Sequence, residues 1–112
     1  MSGKIDDMNR RDYLIAKKLK EKLSEVLPSV VLIIFGSRAR GDEDEYSDMD
    51  VAIEVPFINS KLKRQINNII WEVGFENFIV IVPLIFTRDE INNSPLRSAQ
   101  IINNIYEEGI RI

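Results

Sequence analysis

Two carboxylates, Asp48 and Asp50, stand two residues apart, and a Gly36-Ser37 pair lies upstream with ten residues between them. Alternate side chains of a strand share a face, so a strand starting at residue 48 points both carboxylates the same way. Gly36-Ser37 follows the apolar run Val31-Leu-Ile-Ile-Phe35. A strand-to-helix turn at this point would aim backbone N–H groups at a phosphate. A phosphate cradle beside a carboxylate pair is suited to metal–nucleotide chemistry. Asp48 and Asp50 would hold the metal, Gly36 would let the backbone approach the β/γ-phosphates, and the Ser37 hydroxyl and N–H would bind them. Of Arg38 and Arg40, helix phase decides which one neutralises the triphosphate. Arg38 is the choice here, although both arginines could instead pair with the acidic loop that follows.

Other sites are excluded on residue type. The chain has no cysteine and no histidine, so disulfides, thiolate or imidazole metal sites and His-dependent nucleophilic triads are ruled out. Any metal must be a hard cation on oxygen ligands, Mg²⁺ being the natural candidate. Gly36 and Gly41 have P-loop spacing, but Asp42 and Glu43 follow where Lys and Ser or Thr are required. Read as a calcium loop, the acidic run from Asp42 places Ser47 where Gly is needed and Ile53 where Glu is needed.

The elements that position these residues follow from periodicity. Ile15, Leu19 and Leu23, with Val26 and Leu27, give a helical stripe over 8–27, closed by Pro28. Residues 29–35 form a strand buried on both faces. A short helical turn is expected at 37–41 and a solvated loop at 42–47. In a strand over 48–55, Met49, Val51, Ile53 and Val55 lie on one face, and Asp48, Asp50, Ala52 and Glu54 on the other. Ser60 is the expected N-cap of a helix over 61–73 that stops at Gly74, with Trp71 off its apolar stripe, either a partner contact or, the reading preferred here, a shoulder of the core. Residues 78–86 form a third strand, and Pro83 makes it an edge strand or a bulged one. Thr87 to Glu90 is a capping box. Ser94-Pro95 opens a last helix as N-cap and N1, Gly109 closes it, and Ile110-Arg-Ile112 adds a short strand.

The 112 residues make one domain over 1–112, with 45% apolar and 29% charged residues and a net charge of −3. The acidic balance argues against direct nucleic-acid binding. No apolar run reaches the roughly 20 residues of a membrane span, and the N-terminus has no apolar signal region, so a cytoplasmic protein is expected. Residues 10–22 carry six basic side chains against Asp12 and Glu21, a solvated helix face or a docking face for an acidic partner.

Gly36-Ser37, ten residues and Asp48-x-Asp50 resemble the signature of the DNA polymerase β nucleotidyltransferase superfamily. The form Gly36-Ser-Arg-Ala-Arg-Gly41 followed by Ser47-Asp-x-Asp50 is similar to its minimal nucleotidyltransferase branch. The resemblance implies a polymerase β-like α+β fold, a small mixed β-sheet with helices packed on it. It implies Mg²⁺-dependent transfer of an NMP, AMP foremost, from ATP or another NTP to a hydroxyl. As partner it implies a HEPN-type toxin that this chain would silence as an antitoxin. Superfamily members that turn over usually carry a third acid on a neighbouring strand, here near Val82 to Leu84. Residues 78–86 contain no Asp or Glu. Glu54, Glu76 and Asp89 are the nearest acids. Without the third acid the chain would be a slow enzyme, one completed by its partner, or an antitoxin that works by binding alone.

Overall fold

The apolar run before Gly36 becomes the strand β1 (Val31–Phe35), and its first four residues are all buried. The computed structural model describes residues 8–41, 47–93, 95 and 99–112. The loop expected at 42–47 falls outside the described residues except for Ser47, as does Ser94. Around β1 the chain builds α1 (Arg10–Val26), α2 (Ser37–Arg40), β2 (Met49–Val55), α3 (Ser60–Glu76) and β3 (Ile81–Thr87). It ends with α4 (Arg88–Asn93), α5 (Gln100–Glu108) and β4 (Ile110–Arg111). The sheet order is β3-β2-β1-β4. β1 pairs antiparallel with β2 and β4, and β2 pairs parallel with β3. This is an α+β fold with a mixed sheet.

The two faces of the sheet bury different sets. Leu32 and Ile34 of β1 and Met49, Val51, Ile53 and Val55 of β2 pack with Leu19 and Leu23 of α1 and Ile66, Ile70 and Val73 of α3. On the other face Val31, Ile33 and Ala52 meet Phe86, Ile91 and, from α5, Ile102 and Ile105. The alternation read in β2 therefore holds, and it leaves Asp50 and Glu54 on the thinner, α5-covered face. Where α5 ends, Gly109 lies against β1. A Cβ there would stand 2.3 Å from the Ile105 carbonyl oxygen and 2.4 Å from Ile33 Cγ2. Gly109→Ala is expected to cost about 1–3 kcal/mol by overpacking, measured as a lower midpoint in urea unfolding.

Several boundaries differ from the sequence reading. Asn59, not Ser60, caps α3; its Oδ1 accepts from the Leu62 N–H at 2.8 Å. The helix runs through Gly74 to Glu76. Gly74 is buried where a Cβ would come within 2.7 Å of the Ile79 carbonyl oxygen, so it permits close packing and does not stop the helix. Trp71 is 68% exposed and stacks on Phe75, one helical turn on, with ring centroids 5.1 Å apart; it is no shoulder of the core. β3 starts at Ile81 because Asn77 and Phe78 form a turn, Phe78 at a φ of 55°. Pro83 sits on an edge strand, as its missing N–H requires. The capping box is formed: the Thr87 N–H donates to Glu90 Oε1 at 3.0 Å and the Glu90 N–H to Thr87 Oγ1 at 3.1 Å. α5 starts at Gln100 after Ala99, with no side-chain cap, and Pro95 belongs to a separate 3₁₀ turn. The start of α5 is set by burial of Ile102 and Ile105 against the sheet, not by the Ser-Pro signal.

Candidate active site

The end of β1 and the start of β2 are brought together by antiparallel register, which sets Phe35 opposite Asp50. Gly36, next in the chain, has a φ of 77°. That conformation suits glycine, and space demands it as well. A Cβ at Gly36 would lie 2.5 Å from Asp50 Oδ2. The Asp50 carboxylate thus occupies the room left by the missing side chain, so it adjoins the Gly-Ser turn. After Gly36, α2 makes a single turn. The Ala39 and Arg40 N–H groups donate to the Gly36 carbonyl, and Gly41, in the left-handed region, closes it with its own N–H on the Ser37 carbonyl.

Asp48 is exposed just ahead of β2, and Asp50 is half-buried within it. Burial pushes the Asp50 carboxyl above the ordinary carboxylate range, the neighbouring Asp48 charge adds to this, and Arg40 opposes it. Two carboxylates close enough for the Asp48 charge to act on Asp50, beside a glycine that leaves the approach open, offer hard oxygen donors to a divalent cation. The residues present therefore fit the metal that the motif implies.

A pH dependence follows. Because its folded-state pKa is raised, Asp50 binds a proton more tightly in the native than in the unfolded chain. Its contribution to stability is unfavourable once pH exceeds the ordinary carboxylate range, and it is relieved as pH falls through the folded value. Without divalent metal, Asp50→Asn is expected to melt above the parent at neutral pH, with the gap closing in acid. Thermal melts across pH, taken as the difference between the two proteins, isolate this group.

Arg38 goes elsewhere than the phosphate side. Its guanidinium is 4% exposed and bonds to Asp12 of α1 and to the Ser47 carbonyl. The acidic partner is a buried residue of the first helix, which the helical stripe gave no reason to single out. The expected place of a third acid is also fixed. Val82 stands in register with Asp50, and Leu84 with Ala52. The other acids have partners of their own. Glu54 accepts from Tyr106 Oη at 3.3 Å and lies 3.6 Å from Arg88 Nε. Glu76 pairs with Lys18 at 2.9 Å, and Asp89 accepts from Asn93. Among the described residues no group of three acids could hold a metal ion.

The nucleotidyltransferase domain model matches residues 16–112, spanning β1, the Gly-Ser turn and the carboxylate pair. The chain belongs to the nucleotidyltransferase domain family. It is 36% identical to the Methanocaldococcus jannaschii protein named "Putative protein adenylyltransferase MJ0141", across 70% of this chain and 90% of the relative. As a nucleotidyltransferase it uses a nucleoside triphosphate, and the family works generally with a divalent metal. No helix among the described residues is long and apolar enough to cross a membrane.

A second surface lies at the same end of the sheet. A groove of about 500 Å³ opens between α3 and the β3 edge, lined by Trp71, Phe75, Ile79, Val80 and Pro83 among others. Trp71, Phe75 and Phe78 are 68%, 70% and 93% exposed. None of Gly36, Ser37, Asp48 and Asp50 lines the groove; it joins their strand through backbone pairing, the Met49 N–H donating to the Val80 carbonyl at 2.8 Å and Val82 pairing with Asp50, but opens on the α3 face of the sheet, opposite the face that carries Asp50.

Proposed function

We propose that this nucleotidyltransferase moves an NMP, AMP by preference, from ATP to a hydroxyl on a partner protein. Asp48 and Asp50 hold Mg²⁺, Gly36 and Ser37 receive the phosphates, and the partner is a HEPN-type toxin silenced by the modification. The observation that supports the reading is the Asp50 carboxylate seated in the space where Gly36 has no Cβ, which puts a carboxylate against the Gly-Ser turn. The printed name of the M. jannaschii relative supports AMP and a protein acceptor. When bound, the metal would neutralise phosphate charge as the α-phosphate changes partners. The chain's own residues orient the nucleotide: the turn backbone and the Ser37 hydroxyl receive the phosphates, and the carboxylates would hold the cation that the triphosphate binds.

The acceptor would come from outside. The three exposed aromatic rings offer roughly 350–580 Å² from their own areas, within the range of the largest patches on ordinary monomers and about half to two-thirds of one side of a standard interface. Seated on them, the acceptor protein would reach around the β3 edge to bring its hydroxyl from the α3 face to the face that carries Asp50. Incubating the protein encoded beside this chain with Mg²⁺ and each NTP, read by intact mass, tests the reading. A gain of whole NMP units, greatest with ATP, supports it. No gain with any NTP, while a stable complex forms, refutes the transfer.

A second reading is favoured by one observation, Val82 in place of a third acid beside Asp50. Positioned acid–base help contributes about 10²–10⁴-fold. Lacking it, the chain would neutralise its partner by occlusion on the aromatic surface. Neutralisation that survives loss of both carboxylates would establish that reading.

A further inference from the structure

Arg38 lies inside the phosphate-binding turn but faces the protein. Nη1 donates to Asp12 Oδ1 at 2.7 Å, while Nε and Nη2 both donate to the Ser47 carbonyl oxygen, at 3.0 and 2.7 Å. The Arg38 and Asp12 side chains are 4% and 2% exposed. Ser47 directly precedes Asp48. Two N–H groups of one planar fork on one carbonyl oxygen fix both its position and its direction. The peptide that leads into Asp48 is thereby pinned to α2 at one side and, through Asp12, to α1 at the other.

The pair is costly to keep. Asp12 Oδ2 is buried with no hydrogen-bond partner among the described residues. An apolar pair of like size often serves stability as well as a buried ion pair, or better. Stability alone therefore does not account for a buried guanidinium whose remaining donors grip the backbone one residue before a metal ligand.

We propose that Arg38, held by Asp12, is a positioning residue that sets the Ser47–Asp48 peptide, so that Asp48 faces the surface shared by Asp50 and Gly36. The proposal rests on reading Asp48 and Asp50 as metal ligands. It differs from a phosphate-binding role for Arg38 in what Asp12 does. If Arg38 bound phosphate, loosening it from Asp12 would leave nucleotide affinity unchanged or improved. As a positioning pair, both residues support the metal ligand, and loss of either weakens metal–nucleotide binding.

The test is Mn²⁺ with ATP, titrated by calorimetry and by the Mn²⁺ resonance signal, on the full chain and on two variants. Asp12→Leu/Arg38→Met replaces the ion pair by an apolar pair of like size, and Asp12→Asn keeps the shape of the carboxylate. Amide hydrogen exchange over residues 47–50, without metal, gives a readout independent of activity. The expected result is a cooperative melt for both variants, faster exchange at 47–50, and Mn²⁺·ATP affinity lowered about 10–100-fold, the usual range for partners that orient metal ligands. Parental affinity in a folded double variant overturns the proposal. Failure of the double variant to fold also overturns it, by making the pair an element of stability. If the unsubstituted chain binds no Mn²⁺·ATP, the metal-site reading itself falls; parental binding matched by both variants removes only the positioning role.

Discussion

Asp48→Asn/Asp50→Asn is expected to fold at least as well as the parent and to transfer NMP at least about 10³-fold more slowly. The metal and its charge stabilisation are worth several kcal/mol, and each 1.36 kcal/mol is a factor of ten in rate. The structure gives the stability half of this expectation. The Asp50 carboxyl is pushed up by burial and by Asp48, so removing both charges relieves the apo fold. A protein that gains stability as it loses activity marks residues kept for chemistry. Melting temperature and single-turnover transfer, measured on the same preparation, check both halves. Retained transfer, or a large fall in melting temperature, would count against the assignment.

Gly36→Ala is expected to be nearly as severe. The new Cβ meets Asp50 Oδ2 at 2.5 Å, and alanine at a φ of 77° is strained wherever it is placed. The side chain of Asp50 has to swing away, which takes the proposed metal ligand from the turn proposed to bind the phosphates. Transfer should fall by about 10²-fold or more, since a misplacement of about 1 Å has that cost. Stability should drop by about 1–3 kcal/mol from backbone strain. Asp50→Asn in the same background should not restore activity, whereas an effect of strain alone would leave Mg²⁺·ATP binding intact. Calorimetric titration of Mg²⁺·ATP separates the two.

Periodicity and turn chemistry made most of the scaffold legible. The buried run Val31–Phe35, the alternation in Met49–Val55 and the helical stripe from Ile15 to Leu23 correspond to β1, β2 and α1, because each follows from a local repeat. The misreadings arose where long-range packing decides. Gly74 looks like a helix stop, but its missing side chain lets α3 approach the backbone at Ile79. Trp71 looks like the margin of a core stripe, but among the described residues no element covers it, and it stacks on Phe75 instead. Within the candidate site, Gly36 and Asp50 come together across the β1–β2 register, while Asp48 lies just ahead of β2 and not in the strand expected to carry it. Arg38 does not join them, because its partners are a helix residue 26 positions upstream and a backbone carbonyl, neither of which a local pattern encodes. The register that places Val82 beside Asp50 depends on strand pairing, which the sequence could only bracket between Val82 and Leu84.

The most direct test of the central claim is a comparison of two labels. The chain, its candidate acceptor protein and Mg²⁺ are incubated with ATP labelled at the α-phosphate and, in parallel, at the γ-phosphate. The expected result is that α-label becomes covalently attached to the acceptor, that γ-label leaves as pyrophosphate, and that both changes vanish in Asp48→Asn/Asp50→Asn. Attachment of γ-label, or α-label transfer that persists in the double variant, would contradict it.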